Sequence, residues 1–75
     1  MDREAKILAI QIGKQLAEIR KKRKIPQQEL ARRLSMHQPN LSRIEHGRTV
    51  PNMGTLVQIF EELDVRFEIR LIDLS

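Results

Sequence analysis

The sequence predicts a mainly α domain of four helices followed by one C-terminal β-strand. Three observations carry this. Apolar residues recur every three or four positions through most of the chain, the helical period. Pro26, Pro39, Gly47 and Pro51 interrupt that recurrence at helix-sized intervals. After Asp64 the period falls to two, the mark of a strand.

Helix 1 is the longest. Ala5, Leu8, Ile12, Leu16 and Ile19 form its apolar stripe, with Ile7 and Ile10 off the stripe and suited to a second covered side. Pro26 pushes the residue before it out of helical geometry, so the helix is expected to end near Lys24. Pro26 also sits well at the start of helix 2, about Gln27 to Leu34, where its missing N–H costs nothing. Leu30, Ala31 and Leu34 are the inner face. Helix 3, about Gln38 to His46, tolerates Pro39 in its first turn. Leu41 and Ile44 point inward, and Gly47 supplies a left-handed end. Asn52 is a good N-cap for helix 4, about Met53 to Leu63, with Leu56, Ile59, Phe60 and Leu63 buried. Val65, Phe67, Ile69 and Leu71 then alternate with Arg66, Glu68 and Arg70, giving a strand with one apolar face.

With 75 residues, this is one small domain. A core of that size supplies only about 3–5 kcal/mol, so further support is expected. The chain has no cysteine for disulfides, and two histidines alone make a poor metal site. Oligomerisation is the remaining common route. The net charge is +4, and Lys14, Arg20, Lys21, Lys22, Arg23 and Lys24 crowd one short stretch. A basic small domain suggests a polyanion, with nucleic acid the default. Only two aromatic residues are present, both Phe, too few to stack single strands or RNA, which leaves duplex DNA.

The aliphatic run Ile7 to Ile10 is too short to cross a bilayer, and no signal peptide is expected after Met1-Asp2. The absence of cysteine fits a cytoplasmic location. No nucleophile–base arrangement and no glycine-rich phosphate loop is visible. The expectation is therefore no enzyme, no catalytic residue, no metal and no cofactor.

Two short helices joined by a tight turn make a helix-turn-helix candidate. Ala31 is small where two helices must approach, Leu34 and Leu41 bracket the turn, and helix 3 turns Gln38, Asn40, Ser42 and Arg43 outward. The segment from about Ile12 to Leu63 resembles the Xre (Cro/phage-repressor) helix-turn-helix family. Its points are Arg20, Gln27 with Leu30-Ala31, Leu41-Ser42-Arg43-Ile44-Glu45, Gly47, and Pro51-Asn52 with Leu56. Ser35 and Asp64 stand where that family often has glycine. The resemblance implies a four-helix lambda-repressor-like fold. It divides the chain into an extension of helix 1 (1–11), the helix-turn-helix domain (12–63) and a terminal strand (64–75). The strand resembles that of HipB-like and HigA-like antitoxins, in which it pairs with its twin.

Gln38 and Asn40 suit adenine and Arg43 suits guanine, while Pro39 offers only apolar contact, as with a thymine methyl. A solvated helix face is the plain alternative. Gln27 at a helix start, His37, Ser42 and Arg48 are candidates for phosphate. The resemblance also implies a structural ion pair between Arg20 and Glu45. A carboxylate at a helix C-terminus needs such a cation.

The expected function is a sequence-specific transcriptional repressor, a homodimer on a palindromic operator. Antitoxin of a toxin–antitoxin pair, with a cognate toxin as second partner, is the favoured form. A stand-alone Xre-type regulator and a toxin-neutralising module with weak DNA binding are the alternatives. The dimer strand, Val65, Phe67, Glu68, Ile69, Arg70 and Leu71, is expected to pair antiparallel about Ile69, setting Glu68 against Arg70.

Overall fold

A computed structural model describes residues 2–75. Four helices follow in order: α1 (Arg3–Lys22), α2 (Gln27–Arg33), α3 (Gln38–Glu45) and α4 (Met53–Glu62). Asp2 starts α1 by accepting from the Ala5 N–H at 2.8 Å, and Asn52 starts α4 in the same way from Thr55. Each side chain satisfies one of the donors a helix start leaves open. Leu16, Leu30, Ala31, Leu41, Ile44, Leu56, Ile59 and Leu63 form the core, one contribution or more from every helix.

The buried side of α1 is Ala9, Gly13, Leu16 and Arg20. This side is rotated from the apolar stripe that periodicity picks out, because Leu8 remains 54% exposed at the edge of a groove. Two of the buried positions, a glycine and an arginine, carry no apolar signal. Gly13 is there because α1 crosses the end of α3 backbone to backbone. A Cβ at Gly13 would stand 2.7 Å from the Glu45 carbonyl oxygen and closer still to that of Ile44.

All four helices end in the same way. The residue after each C-cap takes a left-handed conformation: Lys24 (φ 59°), Ser35 (52°), Gly47 (70°) and Asp64 (54°). In each case two N–H groups fold back to the last turn, as Lys24 to Lys21 and Ile25 to Arg20 do in α1, and Asp64 to Glu61 and Val65 to Phe60 in α4. This is the Schellman closure, which satisfies carbonyls the helix leaves open. Only one of the four has the glycine that fits it without strain. Arg23 adds a link between helix ends, its Nε donating to the Leu63 carbonyl at 3.0 Å.

The expected C-terminal strand is absent. Among the described residues no strand forms, and residues 65–75 run without regular secondary structure. The alternation at Val65, Phe67, Glu68, Ile69, Arg70 and Leu71 therefore does not make a ladder, and the expected pairing about Ile69 has no strand to form it. The physical reason is that a strand exists only through backbone partners, and among the described residues no segment pairs with it. The apolar side of the tail is used in part: Val65 packs on the core, and the Phe67 ring lies 4.8 Å from that of Phe60 at 40°. Beyond them, Ile69 and Leu71 are 67% and 92% exposed. Ile7 and Ile10 of α1 also stay about half exposed, Ile10 lying against Gly47.

The helix ends yield a stability prediction. Ser35→Gly and Asp64→Gly should each stabilise by about 0.5–1 kcal/mol, since glycine removes the left-handed penalty but gains freedom when unfolded. Gly13→Ala should destabilise by about 2–3 kcal/mol, because the α1–α3 crossing must open. Urea denaturation of the three variants checks all of these.

Candidate nucleic-acid interface

Between α2 and α3 the chain turns through Leu34, Ser35, Met36 and His37. Ser35 supplies the left-handed corner, and the Met36 N–H returns to the Ala31 carbonyl at 2.9 Å. Leu30 and Ala31 of α2 and Leu41 and Ile44 of α3 are buried, which fixes the angle between the two helices through their small contact surface. The opposite side of α3 is open: Gln38, Pro39, Asn40, Arg43 and His46 are exposed, and Ser42 is half-buried.

Beneath that open side lies a connected set of polar contacts. Arg20 and Glu45, both only 8% exposed, form a two-pronged ion pair. Arg20 Nε donates to Oε2 at 2.7 Å and Nη2 to Oε1 at 3.0 Å, while Nη1 caps the Ile25 carbonyl at 2.9 Å. Gln27 Nε2 donates to the same Glu45 Oε1 at 3.0 Å, and Gln27 Oε1 accepts from Gln38 Nε2 at 3.2 Å. The first outward residue of α3 is thus tied, through Gln27, to the buried pair. Among the described residues no buried side-chain polar atom lacks a partner.

The remaining candidates are placed as follows. Arg43 donates from Nη1 to Asn40 Oδ1 at 2.9 Å, so these two present one joined polar unit. Pro39 lies in the first turn of α3, beside them on the open side. His37 takes the N-cap position of α3, yet its side chain makes no capping bond. Ser42 Oγ lies 3.4 Å from His46 Nδ1, and that nitrogen is 2.8 Å from the Ser42 carbonyl. Arg48 is exposed just past Gly47. Gln27 differs from a free phosphate ligand: its side-chain oxygen and one amide proton are engaged inside the protein, and its backbone N–H opens a helix with no side-chain cap.

Arg32 and Arg33 add cations to α2, but both donate to Glu29. Arg32 first and then Arg33 hold the Glu29 carboxyl down from 4.5 to about 2. These two arginines are therefore partly neutralised where they stand. Residue pattern alone gave no sign of the Gln27 bridge, because glutamine at a helix start reads equally as a solvated residue. The spacing of Gln27 from Gln38 and Glu45 becomes meaningful only when α2 and α3 are folded together.

A model of the Helix-turn-helix family matches residues 16–69, more than two-thirds of the chain. The match spans α2, α3 and α4 and begins within α1. No curated protein matches the chain.

Two predictions follow from the polar set. Glu45→Ala should cost about 3–5 kcal/mol by leaving Arg20 buried without its partner, whereas the joint replacement Arg20→Met with Glu45→Leu should restore much of that loss. Thermal melting of the single and joint variants distinguishes a buried pair from a surface one. For Glu29, the lowered pKa means that its ion pairs favour the folded state above pH 4.5 and are lost as pH falls through about 2. In Arg32→Ala, carboxyl NMR titration should find Glu29 back toward the ordinary carboxylate range.

Proposed function

The chain belongs to the Xre-like helix-turn-helix family of DNA-binding transcription regulators, and we propose that it is a sequence-specific repressor acting on duplex DNA. The observation that carries the reading is the outward side of α3, where Gln38, Asn40 and Arg43 stand together on a helix held from below. In the major groove an amide can pair with adenine and a guanidinium with guanine. Asn40 still has its amide protons and Arg43 still has donors beyond the one bonded to Asn40. Gln38 keeps its side-chain oxygen and one amide proton for a base while Gln27 limits its freedom. Restricting a long side chain before contact lowers the entropy cost of binding.

Phosphate contacts complete the reading. We assign them to the start of α2 at Gln27, to His37 and Ser42 beside the readers, and to Arg48 after α3. These set position and carry no sequence information.

A homodimer on a palindromic operator is the second element of the proposal. The chain exposes 6087 Å², against about 4,800 Å² for an average folded monomer of its mass. The excess, about 1,300 Å², is more than the roughly 800 Å² each partner buries in a standard interface. An open groove of about 590 Å³ between α1, α4 and the tail, lined by Leu8, Ile12, Val50, Met53, Phe60 and Phe67, is the apolar surface that a second copy would cover. Repression then needs only occupancy of promoter DNA. The antitoxin form leans in part on a C-terminal strand, so the regulator itself is what we propose.

The test starts from selection of duplex sites from a random library, followed by binding of the enriched site. A chain that enriches no sequence refutes the proposal. On the enriched site, Gln38→Ala and Arg43→Ala should each relax one base position, at a cost of about 1–3 kcal/mol. Arg48→Ala should weaken all sequences alike and reduce the salt slope by about one.

A further inference from the structure

α1 starts at Arg3, whereas the matched family segment starts at Leu16, so its first turns stand outside the shared domain. Besides the exposed side with Glu4, Ile7 and Gln11, those turns have three flanks. Ala9 and Gly13 are buried, and Leu8 and Ile12 border the apolar groove. The third flank carries Lys6, Ile10 and Lys14, four residues apart and therefore on one side of the helix. Ile10 shows what this flank faces. A Cβ on Gly47 would meet Ile10 Cα at 2.6 Å and Cγ1 at 2.7 Å, so the flank lies against the residue that closes α3.

Lys6 and Lys14 consequently stand one turn to either side of the contact with Gly47, and Arg48 is the next residue of the chain. All three are exposed, and among the described residues none takes part in an ion pair. Glu18, one turn beyond Lys14, is not paired with it, and Glu45 is taken up by Arg20 and Gln27. Lys6 and Lys14 are about 12 Å apart along the helix axis, which covers roughly three phosphates of one DNA strand.

We propose that Lys6, Lys14 and Arg48 form a phosphate-binding ridge that grips duplex backbone flanking the bases read by α3. The inference rests on the DNA-binding reading above and extends its contact surface beyond the matched helix-turn-helix. A purely structural role is the competing account, since cations near the end of α3 also offset its dipole. The two accounts differ in what the lysines change: the ridge moves salt dependence, and the dipole moves stability.

The experiment uses the full chain and its selected duplex, with affinity read by fluorescence anisotropy between 50 and 200 mM salt. In the double variant K6Q/K14Q, the slope of log affinity against log salt should fall by about 1.8 per chain bound, at about 0.9 for each lost phosphate contact. The ratio of selected to scrambled DNA should stay as it is, and so should the Tm of the free protein. K22Q, which changes an exposed lysine at the last residue of α1, two turns beyond Lys14, should leave the slope unchanged. A wild-type slope in K6Q/K14Q, with or without a lower Tm, overturns the ridge alone. A wild-type chain that binds no duplex overturns both readings.

Discussion

The buried pair of Arg20 and Glu45 occupies the point where α1, α2 and α3 meet, and the placement of α3 depends on it. Glu45 is the last residue of α3, where the helix dipole disfavours a carboxylate. Arg20 compensates from α1, and Gln27 adds a second donor from α2. The remaining guanidinium nitrogen holds the Ile25 carbonyl in the connection between α1 and α2. One ion pair therefore fixes two helices and a loop, and each oxygen of the carboxylate is matched. Such a pair contributes more to a unique arrangement than to net stability, because desolvation offsets most of its attraction.

Close backbone packing supplies the second constraint. Gly13 lets α1 lie against the last carbonyls of α3, and Gly47 lets Ile10 settle on the turn that follows. α3 is thus gripped along its C-terminal half by α1 and at its start by the Gln27–Gln38 bond. Apart from that bond, its open side makes none of the contacts that hold the domain together. That separation of supporting and exposed sides is what allows the outward residues to vary, or to bind, without disturbing the core.

The tail and the groove beside it show a domain whose apolar surface exceeds what one chain covers. Val65 and Phe67 close over Phe60, and then the chain leaves the surface with Ile69 and Leu71 uncovered. The left-handed Lys24, Ser35 and Asp64 belong to the same balance: in a small domain with few long-range constraints, short helix closures are kept even where the residue is strained.

The order and extent of the helices were legible in the residues themselves. Pro26, Pro39, Gly47 and Asn52 act locally, through backbone geometry and capping, and so mark boundaries without reference to the rest of the fold. The outward placement of Gln38, Asn40 and Arg43 follows from Leu41 and Ile44 facing in, again a matter of helical phase. Three features needed the tertiary structure. Gly13 and Arg20 are buried because α3 crosses α1 there, a contact that hydropathy cannot register. Gln27 bridges Glu45 and Gln38 only once α2 and α3 are set at their mutual angle. The alternation from Val65 to Leu71 is a real pattern of faces, but strand formation depends on a neighbour's backbone, and that is a property of the fold, not of the segment.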